Sequence, residues 1–250
     1  MNIVIPMAGA GSRFSKEGYK DPKPLITINN IPMIRVVIEN IKPACEHKFI
    51  FICQNEHIHS YDLSTKLKNW APGCEVIGID GVTDGAACTV LMAQEYINND
   101  VPLMIANSDQ YIDFDINKYI NFIEANSSDG AIMTMIANDP KWSFIDVDSS
   151  SFITRVVEKE VISNEATVGI YNFNKGSDFV DAANKMIEHD LRVNNEFYVA
   201  PAYNILIEEG FKFNFYNIGS VEKGMHGLGT PDDLNDFLDS SVLSNALDIK

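Results

Sequence analysis

The chain has no hydrophobic run that approaches the roughly 20 residues needed for a membrane-spanning helix. Basic residues are scarce, with 19 Lys and Arg against 35 Asp and Glu, so the formal net charge is −16. This acidic balance argues against a nucleic-acid or anionic-membrane partner. The amino terminus enters a predicted strand at once, so we expect no signal peptide.

Cysteine is also scarce, and no cysteine spacing suggests a metal site. The four residues are Cys45, Cys53, Cys74 and Cys88. We expect reduced thiols and a cytoplasmic location. No linker, repeat or low-complexity tract interrupts the 250 residues, of which 46% are hydrophobic. Such a chain can bury a substantial core.

A glycine loop follows the first predicted strand. The apolar, β-branched run at 3–8 is typical of a buried strand in an α/β sheet. Gly9 and Gly11 then stand at the carboxyl end of that strand, where α/β sheets place their ligands. Arg13 and Lys23 add two cations in an acidic chain. The pattern predicts a polyphosphate site.

Two glycines alone are weak support, because many strand-to-helix turns carry them. Two familiar nucleotide motifs also fit poorly. A P-loop ends in Gly-Lys-Ser/Thr, which Ser12-Arg13-Phe14 is not. The dinucleotide fingerprint requires a small residue where Phe14 stands.

A candidate metal ligand follows the predicted strand at 101–106. Asp109 stands at its carboxyl end, where a carboxylate can hold Mg²⁺ against phosphates. Aspartate at such a position also forms turns, so both interpretations stay open here. Asp113 and Asp115 spell D-x-D, the metal motif of glycosyltransferases. Asp115 is better explained as the N-cap of a helix that begins at Ile116.

The glycine loop together with Pro22-Lys23-Pro24-Leu25 resembles the signature of nucleotidyltransferases that activate sugar phosphates. The resemblance implies an α/β fold, a three-layer α/β/α sandwich with a mixed, mostly parallel, Rossmann-like sheet. It also implies that Arg13 and Lys23 neutralise NTP phosphates and that Asp109 binds Mg²⁺. The implied nucleotide-binding residues are Met7, Ala8, Gly9, Ala10, Gly11, Ser12, Gly85 and Ala86.

Later motifs extend the resemblance to an acceptor side. In Val157-Glu158-Lys159 the family's Glu and Lys reach the acceptor and the phosphate being joined, and Tyr171 belongs to the following Gly-x-Tyr strand. Glu196, Tyr198 and Asn204 could line an acceptor pocket or could anchor the adjacent helix. Near the end of the chain, Gly227, beside His226, stands where many relatives carry a second metal-binding Asp. The second metal ligand therefore stays undecided.

A narrower resemblance is to cytidylyltransferases of capsule polysaccharide assembly. It rests on the segment at 195–201, on Tyr203-Asn204 and on the missing Asp near Gly229-Thr230. It implies CTP as the nucleotide and a phosphorylated small-molecule acceptor, such as phosphoglutamine. Three alternatives stay open: a hexose-1-phosphate nucleotidyltransferase, a glycosyltransferase of similar fold, and a non-catalytic nucleotide-binding regulator.

The domain prediction follows from these motifs. We expect one nucleotidyltransferase domain at 1–240, with an NTP-binding half at 1–130 and an acceptor-binding half at 131–240. Residues 241–250 are predicted to form a C-terminal tail. The expected partners are an NTP and the acceptor, with neither nucleic acid nor membrane, and the oligomeric state is left open.

Overall fold

The structure is a computed structural model that describes residues 1–249. Its strands are β1 (Asn2–Pro6), β2 (Thr27–Ile28), β3 (Ile31–Pro32), β4 (Lys48–Gln54), β5 (Glu75–Ile79), β6 (Leu103–Ala106), β7 (Gln110–Ile112), β8 (Gly130–Ile136), β9 (Ser143–Val147), β10 (Ile153–Glu158), β11 (Glu165–Phe173), β12 (Phe213–Val221) and β13 (Gly224–Gly227).

The helices follow the amphipathic segments of the sequence. They are α1 (Ser12–Lys16), α2 (Met33–Ile41), α3 (Asn55–Tyr61), α4 (Leu63–Trp70), α5 (Ala86–Leu91), α6 (Gln94–Ile97), α7 (Ile116–Ala125), α8 (Gly176–Glu188), α9 (Ala202–Glu208), α10 (Pro231–Leu238) and α11 (Leu243–Ala246). A short 3-10 turn lies at Lys23–Leu25.

A mixed sheet of 11 strands forms the centre of the molecule, in the main order β5-β4-β1-β6-β11-β8-β12-β13-β7. The first four strands of this order are parallel to one another. Antiparallel pairing begins where β11 meets β6 and β8. Strands β9 and β10 form an antiparallel hairpin that joins the sheet through β11. The two predicted halves therefore share one continuous sheet.

Helices cover both faces of the sheet, and the alternation of side chains along β1 shows why. Ile3 and Ile5 belong to a core cluster with α2, α4 and α7. Val4 points the other way, into a cluster with α5, α8 and α9. Strand β1 thus buries two apolar faces, as a sheet between two helical layers requires. The predicted three-layer α/β fold with a mixed sheet is confirmed.

Two details differ from the sequence-based expectations. The apolar residues at 87, 90, 91 and 97 favour a single helix after Gly85, whereas the structure has two short helices, α5 and α6, with a turn at Met92 and a buried Ala93 between them. The predicted tail contains α11, and Ala246 packs in a third core cluster with Phe14 of α1. Lys250 lies outside the described residues.

None of the helices among residues 1–249 is both long and apolar enough to cross a bilayer.

Candidate active site

The glycine loop leads from β1 into α1 at the carboxyl edge of the parallel strands. Gly11 adopts a left-handed conformation with φ of 60°, which glycine tolerates at little cost. The Gln54 side chain donates hydrogen bonds to the carbonyls of Ala8 (2.8 Å) and Gly9 (3.4 Å). Phe14 is buried, and this fixes the start of α1. The loop is therefore held from both ends while its middle faces solvent.

Lys23 and Asp109 form the central ion pair of the site. The Lys23 Nζ to Asp109 Oδ2 distance is 2.8 Å, and both side chains are about one-quarter exposed. Gly229 lies against the same oxygen, since a Cβ there would stand 2.8 Å from Asp109 Oδ2. The backbone N–H of Leu228 donates to the Asp109 carbonyl at 2.8 Å. The closing Gly-Thr segment thus holds Asp109 in place.

One cavity of about 480 Å³ collects the predicted groups from both halves of the chain. Its lining includes Arg13, Lys23, Ala86, Asp109, Glu158, Lys159, Tyr171, Glu196 and Tyr198. A second cavity of about 340 Å³ is lined by residues 10–14 of the glycine loop together with Lys23, Glu196 and Gly229. Arg13, Lys23 and Glu196 line both cavities, so the two cavities adjoin one another at these residues.

Glu158 ends β10 and is buried, with only 9% of its surface exposed. Ser143, opposite it in the hairpin, donates a short hydrogen bond to Glu158 Oε2. Burial raises the pKa of the Glu158 carboxyl, more than that hydrogen bond lowers it. A carboxylate held in this way can accept a hydrogen bond from a bound ligand.

Lys159 follows Glu158 in a left-handed conformation, with φ of 58°. Its Nζ donates a short hydrogen bond to the Tyr198 hydroxyl and stands 4.5 Å from the centre of that ring. Burial and the neighbouring Glu196 raise the pKa of the Tyr198 phenol. The hydroxyl of Tyr171 is 2.9 Å from Thr167 Oγ1, and this ring is buried beneath the cavity.

Residues at the start of α5 contact the segment that carries Glu196 and Tyr198. Phe197 N–H donates to the Asp84 carbonyl at 2.8 Å, and Ala87 N–H donates to the Phe197 carbonyl at 2.9 Å. A Cβ on Gly85 would stand 2.5 Å from the backbone of Phe197. The space beside Gly85 is therefore filled by this backbone, while Ala86 lines the cavity.

Several predicted residues lie elsewhere. Asn204 bonds the backbone of Val156 with both ends of its amide, at 2.8 and 2.7 Å, and so anchors α9 to β10. Asp115 caps α7, as predicted, by accepting from the Asn117 N–H. Within residues 1–249, neither D-x-D aspartate lines the cavity. His226 is buried against Tyr111 and Phe237.

Magnesium fits the site through Asp109. Among residues 1–249, no three His, Cys, Asp or Glu side chains gather as a metal cluster. Mg²⁺ commonly uses only one or two carboxylates, with substrate phosphates completing the shell. The partly exposed Asp109 carboxylate, beside a glycine that leaves it room, suits that arrangement.

Sequence reasoning missed several residues of the cavity lining, and Lys141, Trp142 and Ser143 are the three that lie beside Glu158 and Lys159. They precede or begin β9, and a turn-like Asp-Pro-Lys segment gives no local signal of function. The β9–β10 register brings them beside Glu158 and Lys159, and only the fold supplies that register.

The fold and the cavity together define an α/β protein with a site suited to phosphate-bearing ligands. A family model described as nucleotidyl transferase matches residues 3–202. The chain therefore belongs to the nucleotidyl transferase family.

Curated relatives match along most of the chain. A mannose-1-phosphate guanyltransferase of Kluyveromyces lactis is 24% identical over 97% of this chain and 64% of its own length. The bifunctional protein GlmU of Methanococcus aeolicus is 25% identical over 98% of this chain and 55% of its own length. The chain thus spans less than two thirds of the length of these relatives.

Solved structures share the fold. A nucleoside-diphosphate-sugar pyrophosphorylase of Vibrio cholerae matches with a TM-score of 0.80 and 24% identity, over 94% of this chain and 99% of that chain. An inositol-1-phosphate CTP transferase of T. maritima matches with a TM-score of 0.75 and 13% identity, over 99% and 96% of the two chains.

Proposed function

We propose that the protein is a Mg²⁺-dependent nucleotidyltransferase that transfers CMP from CTP to a phosphorylated small-molecule acceptor and releases pyrophosphate. The observation that carries this proposal is the single cavity where Arg13, Lys23 and Asp109 of the nucleotide half meet Glu158 and Lys159 of the acceptor half. Family membership supports the reaction class.

The proposed reaction requires no general base. The attacking group is a phosphate oxygen, and because its second pKa is about 6, it is ionised at neutral pH. It attacks the α-phosphorus of the NTP, a new P–O bond forms, and the bond to pyrophosphate breaks. Bound Mg²⁺ would neutralise phosphate charge in this displacement. The protein then contributes positioning and charge neutralisation.

Each residue has a role that suits its place in the site. Arg13 and the loop amides hold the leaving pyrophosphate, Lys23 bridges phosphates, and Asp109 holds the metal. The Lys159 ammonium would give up its hydrogen bond to Tyr198 and lie between the acceptor phosphate and the α-phosphate. There its charge offsets the repulsion between the two phosphates. Glu158 accepts a hydrogen bond from the body of the acceptor, with Glu196 and Tyr198 beside it.

The choice of CTP, and of an acceptor such as phosphoglutamine, rests on the narrower resemblance of the segment at 195–201 to capsule cytidylyltransferases. A hexose-1-phosphate acceptor is the second candidate, because a relative is named for mannose 1-phosphate and guanyl transfer. We also propose a cytoplasmic location, which the four free cysteines support.

A panel of four NTPs against phosphoglutamine, glucose 1-phosphate and mannose 1-phosphate tests the proposal, with pyrophosphate release as the readout. We expect turnover with CTP and an acceptor outside the hexose phosphates. Turnover confined to a hexose 1-phosphate would favour the second candidate. Absence of pyrophosphate with every pair would contradict nucleotidyl transfer and leave the regulator hypothesis.

A further inference from the structure

We propose that Lys141 is a second acceptor-phosphate ligand that acts with Lys159, and that Asp233 positions it. The proposal rests on the proposed function, because it concerns the acceptor of that reaction. Lys141 lines the same cavity as Lys159 but belongs to a different strand connection.

The β9–β10 hairpin places the two lysines at the same end of one ladder. Ser143 pairs with Glu158 in the register, and Lys159 N–H donates to the Trp142 carbonyl at 3.0 Å. Lys141 is the next residue along on the β9 side. The backbone itself therefore fixes the two lysines on neighbouring chain segments that face one cavity.

The Lys141 ammonium is available to a ligand. Its Nζ stands 3.7 Å from Asp233 Oδ1 and 4.0 Å from Asp139 Oδ2. Both distances exceed normal hydrogen-bond lengths, so these carboxylates attract the ammonium without taking its donors. Lys23, in contrast, donates to Asp109 at 2.8 Å. Among residues 1–249, no side chain or carbonyl accepts a hydrogen bond from Lys141 Nζ.

The position of Lys141 favours the acceptor phosphate over the triphosphate. The glycine-loop cavity is lined by Arg13 and Lys23, and within residues 1–249 its lining includes neither Lys141 nor Lys159. The phosphate group of the acceptor carries nearly two negative charges at neutral pH. Two ammonium groups at one hairpin end match that charge, whereas Lys159 alone would leave about one charge uncompensated.

Asp233 of α10 provides the nearer of the two carboxylates beside the Lys141 ammonium. Thr230 caps this helix by accepting from the Asp233 N–H at 3.1 Å, which fixes the aspartate in the first turn. A Cβ on Gly227 would stand 3.3 Å from Asp233 Cγ, so the carboxylate lies directly over that glycine. Lys141 also lies over the Trp142 ring, at 4.9 Å from its centre. A carboxylate and an aromatic ring thus both attract the Lys141 ammonium and limit where it can lie.

The test compares Lys141→Ala, Lys141→Arg and Asp233→Asn with the control Lys175→Ala. Lys175 is a matched surface lysine, 53% exposed against 49% for Lys141, with an ion pair to Asp100 outside the cavity. Loss of a charge-assisted hydrogen bond should raise the acceptor KM of Lys141→Ala about 10- to 100-fold while the NTP KM stays unchanged. Lys141→Arg should restore most of the loss, and Asp233→Asn should raise the acceptor KM by a smaller factor.

A binding measurement separates this inference from the proposed function. Inorganic phosphate is titrated by calorimetry into enzyme saturated with Mg²⁺ and the α,β-methylene analogue of the NTP, which cannot transfer. We expect its affinity to fall about 10-fold or more in Lys141→Ala and not in Lys175→Ala. An unchanged phosphate affinity and acceptor KM in Lys141→Ala would overturn the inference, even in an active enzyme. Absence of turnover in the wild type would contradict the proposed function instead.

Discussion

Gly229→Ala is a sharp probe of how the closing segment positions Asp109. The new methyl group would stand 2.8 Å from Asp109 Oδ2, about 0.6 Å short of the 3.4 Å at which ordinary contact begins. The backbone at Gly229 has no positive φ, so alanine itself introduces no backbone strain. The expected effect is therefore displacement of the carboxylate and of its ion pair with Lys23.

The size of the expected effect follows from how far a metal ligand can be displaced before metal affinity falls. A ligand must keep its position to within about 0.5 Å, and a lost supporting contact typically costs 10- to 100-fold in metal affinity. We expect the Mg²⁺ concentration for half-maximal turnover to rise by about that factor. Asp109→Ala is the limiting case and should abolish turnover at practical Mg²⁺ concentrations.

The assay is pyrophosphate release as a function of Mg²⁺, together with Mn²⁺ binding in the presence of NTP followed by electron paramagnetic resonance. Gly227→Ala is the matched control on the same segment, because its methyl group would contact Asp233 and not Asp109. Its metal dependence should match the wild type. A wild-type metal dependence in Gly229→Ala would refute the argument, and an active Asp109→Ala would remove Asp109 as the metal ligand.

Three further predictions concern the loop and the acceptor side. Arg13→Ala should lower kcat/KM about 10²-fold or more and leave Tm nearly unchanged, since this side chain is exposed; wild-type kinetics would contradict the phosphate-clamp role. Lys159→Ala should lower turnover about 10²- to 10⁴-fold while calorimetry finds NTP binding without acceptor little affected; normal turnover would make it a surface lysine. Glu158→Gln should raise Tm at pH 7, because burial raises the pKa of the Glu158 carboxyl and its ionised form is destabilising in the folded state. That gain should vanish as the pH falls below the ordinary carboxyl pKa, and a pH-independent difference in thermal melts would contradict the reasoning.

The α/β fold could be predicted because buried strands and amphipathic helices alternate along the first half of the chain. Arg13 and Asp109 could be predicted to lie at the same edge of the sheet because each follows the carboxyl end of a predicted strand; the structure adds that these strands, β1 and β6, are neighbours. Lys141 could not be predicted, because its position depends on the β9–β10 register. The contact of Gly229 with Asp109 joins segments far apart in sequence and leaves no local pattern.

The break between α5 and α6 escaped prediction for a different reason. The apolar residues at 87, 90, 91 and 97 lie at helical spacing, so periodicity alone favours one helix. In the structure α5 ends at Leu91 and α6 begins at Gln94, and Ala93 between them is buried in the core. At Gly85, likewise, the small residues at 85–87 are compatible with a close approach, but they do not identify the approaching group. The structure identifies it as the backbone of Phe197.

The two backbone hydrogen bonds of Phe197 have a consequence for motion. They tie the segment that carries Glu196 and Tyr198 to the start of α5, so an outward movement of this segment must either break both bonds or carry the start of α5 with it. We therefore expect a rearrangement at Ala86 to move Glu196 and Tyr198 as well. The amide protons of Phe197 and Ala87 should therefore exchange with deuterium in one common opening event, at a rate that nucleotide binding and acceptor binding lower together.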